Sequence, residues 1–366
     1  MRIDIIAGAR PNFMKIAAII RALDTRRTVG GPLRYRLVHT GQHYDERMSA
    51  SFFAQLGIPA PDVNLEVGSG TQAEQAAGIM IGYERLLQAD RSDLCLVVGD
   101  VTSTMACAIV AQKLLVPVAH VEGGIRSGDW SMPEEINRLV TDAITDLFFT
   151  TSADANTNLV RAGVPADRIH FVGNTMIDTL LANLSRLEAP ACWDAIGLVD
   201  REYFVATLHR PSNVDRLETL EPLLRAIARA ARGLPVVLPL HPRTARILSA
   251  ISSLPPELHV IEAQPYLQFN FLVRQAKAVI TDSGGVTEEA TVLNVPCLTL
   301  RTSTERPETV TVGSNELLGT DPAAIAPALD RIFAGQWKRS GIPELWDGRA
   351  AERIVAILEK WRPRYA

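Results

Sequence analysis

A succession of short apolar runs, each about the length of a strand, most constrains how this chain can fold. They are Ile3–Ala7, Tyr35–His39, Leu94–Val98, Val116–Val121, Leu147–Thr150 and Ile169–Val172, then Tyr203–Leu208, Pro235–Pro239, Leu258–Glu262, Ala278–Thr281 and Pro296–Leu300. Most lack the in–out alternation of a half-exposed strand, which is how strands covered by helices on both faces read. Helical stretches such as Thr71–Ala89, Ser103–Leu115, Glu134–Thr145 and Leu217–Arg232 lie between them. Strand and helix in alternation predict parallel sheets in an α/β architecture.

The length of 366 residues suits two domains. A boundary is expected after Val172, giving an N-terminal Rossmann-like domain, 1–172, and a C-terminal one, 173–348. A helix at Thr175–Leu187 leads into the linker-like Glu188-Ala-Pro-Ala-Cys. The segment 349–366 carries a last helix, Arg349–Trp361, which sequence alone leaves open to either domain, a return onto the first being one arrangement. Two such halves are expected to face a cleft lined by the carboxyl ends of their strands.

Composition removes several classes of function. With 37 basic against 41 acidic residues the formal charge is -4, which argues against nucleic acid as a partner. No apolar run approaches the ~18 residues of a membrane span. Four cysteines, Cys95, Cys107, Cys192 and Cys297, have no metal-ligand spacing and suit a reducing, cytosolic compartment.

Candidate chemistry gathers where apolar runs end. Gly8-Ala-Arg-Pro-Asn-Phe-Met-Lys15 opens a helix after Ile3–Ala7. It either places Arg10 beside an anion at the helix start or is a plain turn with a surface arginine. It is not the G-x-G-x-x-G fingerprint, which weakens nicotinamide-dependent mechanisms. Asp282-Ser-Gly-Gly285 follows Ala278–Thr281, and its glycines suit phosphate approach at a helix start. The run His120-Val-Glu-Gly-Gly-Ile-Arg-Ser-Gly-Asp129 and then Pro133-Glu-Glu-Ile-Asn-Arg138 is dense in ionisable groups. Glu122 falls at a strand end, Glu134 and Glu135 are acid/base candidates or helix-start carboxylates, and His120 reads as a satisfied core histidine. Asp100, after Leu94–Val98, is either a helix N-cap or a cleft carboxylate. His209-Arg210, His241-Pro-Arg243 and Arg301-Thr-Ser-Thr-Glu-Arg306 each follow a buried run and suit an anionic, hydroxyl-rich ligand better than a metal.

In this order, GARPNFMK (8–15), GD (99–100), HVEGGIRSGD (120–129), PEEINR (133–138), GNT (173–175), HR (209–210), DSGGVTEE (282–289) and TERPE (304–308) resemble the non-hydrolysing UDP-N-acetylglucosamine 2-epimerase family along nearly the whole chain. The resemblance implies a GT-B-type pair of Rossmann-like domains that interconverts UDP-GlcNAc and UDP-ManNAc without cofactor or metal, in a cytoplasmic homodimer. Matched position by position, it implies that Asp100, Glu122, Glu134 and His209 are catalytic, with Lys15 in support. It gives Arg10 to the phosphate side, Ser283, Gly284 and Gly285 to the diphosphate, Glu289 to the ribose, and Arg210, His241 and Arg306 to the nucleotide sugar.

Three departures bear on substrate. The family's HRxEN reads His209-Arg-Pro-Ser-Asn213, with Ser212 replacing a carboxylate. The approach from Asp129 to Pro133 is about two residues shorter than the common form. Gln42-His-Tyr-Asp45 differs from the segment that holds an activating second UDP-GlcNAc in many bacterial members, so the resemblance does not carry that site over. The alternatives are the same epimerisation of UDP-2,3-diacetamido-2,3-dideoxy-glucuronate, a hydrolysing variant that releases ManNAc, a GT-B glycosyltransferase and a non-catalytic UDP-sugar sensor.

Overall fold

A computed structural model describes residues 1–41, 52–240, 242–248, 251 and 253–362. Contacts within the chain divide it into two units, Met1–Ala182 with Glu344–Ala366, and Asn183–Pro343.

In the first unit the described residues form a seven-stranded sheet ordered β3-β2-β1-β4-β5-β6-β7. Its strands are β1 (Arg2–Ala7), β2 (Arg34–His39), β3 (Val63–Asn64), β4 (Leu94–Val98), β5 (Val118–Val121), β6 (Leu147–Thr150) and β7 (Ile169–Phe171). Every pairing is parallel. Helices α1 (Arg10–Thr28), α2 (Gln72–Ala89), α3 (Thr102–Lys113), α4 (Pro133–Ile144), α5 (Ala153–Arg161) and α6 (Thr175–Asn183) alternate with them. Strand order reverses between β1 and β4, the point where a crevice opens at the carboxyl edge of such a sheet. The buried carboxylate within β1 is matched locally. Asp4, fully buried, takes both oxygens of its carboxylate to Arg36 at 2.8 Å and accepts from the Tyr83 hydroxyl.

The second unit holds a six-stranded sheet ordered β10-β9-β8-β11-β12-β13, also all parallel. Its strands are β8 (Phe204–Thr207), β9 (Val236–Pro239), β10 (Leu258–Ile261), β11 (Ala278–Thr281), β12 (Cys297–Thr299) and β13 (Asn315–Leu317). The helices are α7 (Cys192–Ile196), α8 (Pro211–Val214), α9 (Leu217–Ala230), α10 (Pro242–Leu248), α11 (Tyr266–Gln275), α12 (Gly284–Val292), α13 (Pro307–Thr311) and α14 (Ile325–Phe333). Order reverses here between β8 and β11. Successive residues of β8 feed opposite cores: Phe204 and Ala206 pack with Leu238 and Ile280, while Val205 packs with Val237, Leu272 and Val279. That is the physical origin of the missing alternation in the sequence. The two strands that sequence patterning does not reveal, β3 and β13, have two and three residues, too few to show a pattern.

The contact boundary falls at Ala182, one helix beyond Val172. The reason is local: α6 stays with the first unit, where the Thr179 hydroxyl donates to the Met14 carbonyl at 2.6 Å. The segment from Glu344 belongs to the same unit and ends in α15 (Ala350–Lys360). Trp346, 2% exposed, donates its indole N–H to the Thr151 carbonyl. The Asp178 carboxylate accepts from the first backbone N–H groups of α15, those of Ala350 (3.1 Å) and Ala351 (2.7 Å). Those donors have no partner inside the helix, so a side chain from α6 caps α15. Burial still dominates the ionisation of this carboxyl, which is pushed up to about 6. Asp178→Ala is expected to cost ~1–2 kcal/mol, the usual worth of a helix cap. Amide exchange should rise first in 350–360, and unchanged exchange there would remove Asp178 from this role.

Candidate active site

At the reversal point of the first sheet, β1 ends at Ala7 and α1 begins at Arg10. The turn is held by Asn12, whose Oδ1 accepts from the Gly8 and Ala9 N–H groups while its Nδ2 donates to the Val98 carbonyl at the end of β4. Gly8 has to be glycine, since a Cβ there would lie 2.0 Å from Ser103 Oγ. One turn into α1, Lys15 Nζ stands 2.7 Å from Glu122 Oε2, and both residues are buried. Glu122 follows β5 in the left-handed region, φ 70°. A side chain other than glycine rarely adopts that conformation, and such strain gathers at working sites. Gly99, at φ 67°, closes the floor: a Cβ on it would lie 3.0 Å from Lys15 Nζ and 3.8 Å from Glu122 Oε2.

Behind this pair stands a chain of matched polar groups. His120, fully buried within β5, meets the Gly99 carbonyl through Nε2 (2.8 Å) and Asp142 through Nδ1 (2.7 Å). This is the satisfied core histidine read from sequence. Burial alone would push the Asp142 carboxyl up. The bond and charge of His120, with the charge of Arg126, outweigh it and hold the group below its ordinary value.

Asp100 is not a helix N-cap. The residue capping α3 is Val101, without a side-chain bond, and Asp100 Oδ2 instead receives Arg138 Nε at 3.0 Å and NH2 at 2.5 Å. The same guanidinium reaches Glu135 Oε2 at 2.6 Å. Glu135 in turn accepts from the Ser127 and Gly128 N–H groups and so fixes the preceding loop. The two neighbouring glutamates therefore differ. Glu135 is buried in bonds that hold the fold, and Glu134, second residue of α4, is only half-buried.

At the reversal point of the second sheet the organiser is Asp282, fully buried just after β11. Its carboxylate accepts from the His209 N–H (3.0 Å), the Arg210 N–H (2.9 Å) and Asn213 Nδ2 (3.0 Å), and lies 2.8 Å from His209 Nδ1. Burial pushes this carboxyl up. The His209 bond and charge, with donors from Asn213 and Arg210, pull it below its ordinary value. The His209 side chain stays 36% exposed, so its ring is oriented from behind and presented in front. Ser283, Gly284 and Gly285 form the start of α12, the positive end of that helix, with the Ser283 N–H donating to Thr281 Oγ1 at 3.0 Å.

Glu289, on α12, is buried near Asn270 Nδ2 (3.2 Å) and Tyr266. Desolvation dominates there and raises its carboxyl to about 7. Arg306 Nε meets Glu288 Oε1 at 2.6 Å, and Arg301 NH2 meets Glu305 Oε2 at 2.7 Å. Arg10 opens α1, but its side chain, His241 and Gln42–Asp45 lie outside the described residues. Among the described residues no group of three or more His, Cys, Asp or Glu is arranged to hold a metal ion, and no helix is long and apolar enough to cross a membrane. Sequence reasoning assigned no role to Asp282, Asn12, Asp142 or Glu305. Asp282, Asn12 and Glu305 stood inside quoted motifs, whereas Asp142 gave no local signal of its distant partner.

A family model described as UDP-N-acetylglucosamine 2-epimerase matches residues 28–359. The chain is 39% identical to the UDP-N-acetylglucosamine 2-epimerase of Methanocaldococcus jannaschii over 98% of its own length and 99% of that protein's. It is 38% identical to the UDP-2,3-diacetamido-2,3-dideoxy-D-glucuronate 2-epimerase of Pseudomonas aeruginosa, covering 98% of this chain and 100% of the relative. The crystal structure of the M. jannaschii enzyme in complex with UDP-GlcNAc and UDP matches with a TM-score of 0.89, over 99% of this chain and 100% of that one.

The two perturbed carboxyls of the second unit should act on stability with opposite sign. Asp282, held low, stabilises the fold above its unfolded value near ~4 and loses that contribution as pH falls. Asp282→Asn should therefore be destabilised at neutral pH, and the deficit should shrink below pH ~4. Glu289, held high, weakens the fold as pH rises from the ordinary glutamate value of 4.5 towards about 7. Glu289→Gln should match the parent at low pH and exceed it above 7 by on the order of 3 kcal/mol. Melting temperatures measured across pH decide both, and parallel profiles for parent and variant would contradict the assignment.

Proposed function

Because the chain belongs to the UDP-N-acetylglucosamine 2-epimerase family and has its GT-B-like fold, we propose that this UDP-sugar 2-epimerase interconverts UDP-GlcNAc and UDP-ManNAc. The observation that carries the reading is the buried Lys15–Glu122 pair at the reversal point of the first sheet.

The chemistry demands such a pair. A sugar C2–H beside an N-acetyl group is too weakly acidic for direct removal by a carboxylate. When the bond from C1 to the UDP oxygen breaks first, positive charge at C1 acidifies C2–H. A base then removes that proton, leaving a glycal and UDP. Return of a proton to the opposite face of C2, followed by addition of UDP to C1, gives the epimer. The scheme needs two acid/base groups and cations that stabilise the departing diphosphate.

In this proposal Glu122 is one acid/base group, with the Lys15 ammonium 2.7 Å away as its counter-charge. Asp100, on its Arg138 tether, and Glu134 are the carboxylates available for the second face. His209, oriented by Asp282, acts on the departing phosphate oxygen together with Arg210. Ser283, Gly284 and Gly285 bind the diphosphate at the start of α12, Glu289 the ribose, and Arg10, His241 and Arg306 the rest of the nucleotide sugar.

A second substrate has specific support. The P. aeruginosa relative is named for the 2,3-diacetamido uronate at almost the same identity. Ser212 and the short 129–133 approach also depart from the common form.

Proton NMR in D2O with UDP-GlcNAc and no added cofactor tests the reading. UDP-ManNAc should grow in with deuterium at C2. Turnover of the uronate alone would establish the second substrate, and free ManNAc with UDP would mark a hydrolysing enzyme. Glu122→Gln should lower turnover by about 10²–10⁴-fold, the usual worth of a positioned acid/base group, with UDP affinity unchanged. Full activity in that variant would sink the assignment.

A further inference from the structure

In the second unit a carboxylate already occupies the positive end of α12. A Cβ built on Gly284 would lie 2.6 Å from Glu305 Oε1, so this oxygen sits directly against the first residue of the helix. Glu305 Oε2 lies 2.7 Å from Arg301 NH2, and Oε1 lies 3.7 Å from Arg210 NH2. Glu305 and Arg301 are 8% and 7% exposed. One carboxylate thus faces two guanidinium groups and a helix N-terminus. The adjacent Arg306 faces a carboxylate of α12 itself, Glu288, at 2.6 Å.

We infer that Glu305 is an exchangeable counter-anion, which a nucleotide diphosphate must displace from Gly284 before it takes over Arg210 and Arg301. The inference rests on the assignment of Ser283–Gly285 to the diphosphate. A diphosphate at these N–H groups and Glu305 Oε1 in its present place would put like charges in contact in a nearly dry pocket, which is costly. The glutamate side chain can withdraw by changing rotamer, without unfolding the loop between β12 and α13. An exchange of this kind keeps both arginines ordered and limits how tightly the nucleotide diphosphate is held.

The test is UDP affinity of the full-length protein by calorimetry, with the dissociation rate by stopped flow. Glu305→Gln keeps the side-chain shape and removes the charge. It should bind UDP about tenfold more tightly and release it correspondingly more slowly, since it no longer presents a competing anion. Unchanged or weaker binding by a variant that melts like the parent would overturn the inference, for Glu305 would then be a fixed support of the arginines. A crystal structure of the parent protein with UDP gives a second reading that needs no variant. Glu305 Oε1 should have left Gly284, and a carboxylate still in place beside a bound diphosphate would overturn the proposal. A parent protein that binds no UDP would overturn both the proposal and the site assignment beneath it, whereas tight parent binding with no gain in the variant overturns the exchange alone.

Discussion

A parallel sheet covered by helices on both faces leaves the chain few places for polar chemistry. Interior residues of its strands face apolar cores on either side, so polar groups that are to meet a ligand are set where strands end. Both sheets obey this constraint at the point where strand order reverses. Gly8, Gly99 and Glu122 lie just past β1, β4 and β5, and His209 and Asp282 lie just past β8 and β11. Buried charge inside a strand is tied to partners there: Asp4 takes Arg36, and His120 meets Asp142 and the Gly99 carbonyl.

Each reversal point is built around a buried charge, with a different balance of forces. In the first unit a cation and a carboxylate neutralise each other, on a backbone strained at Glu122 and relieved at Gly99. In the second, Asp282 gathers several donors, so hydrogen bonding offsets its burial, whereas Glu289 has too few to do so. Removing one partner of such an arrangement costs far more than the arrangement contributes net, because the remaining charge is left unpaired in a dry place.

The architecture was legible because strand-length apolar runs without alternation can hardly be accommodated otherwise than in covered parallel sheets. The motifs at Gly8, Gly99, Glu122, His209 and Asp282 were legible because each followed such a run directly. What escaped were links between residues far apart in sequence. Asp142 reaching His120, Glu305 reaching Gly284 and Asp178 reaching α15 depend on helix packing that no local pattern encodes. Sequence leaves Asp100 open between helix cap and cleft carboxylate for the same reason: its partner Arg138 lies 38 residues on. The domain boundary drawn at Val172 took the end of the last strand for the end of the unit, while α6 continues the same packing to Ala182.

The first unit is completed by the segment from Glu344 onward, so its residues come from two stretches with the whole of Asn183–Pro343 between them. On the ribosome this imposes an order. The long N-terminal stretch emerges first, yet Asp178, Thr151 and the carbonyl end of β7 must wait for Trp346, α15 and Arg353 to be synthesised. The second unit, contiguous in sequence, can close as soon as it has left the tunnel. The segment from Glu344, made after the second unit, is therefore the part that finishes the unit begun first.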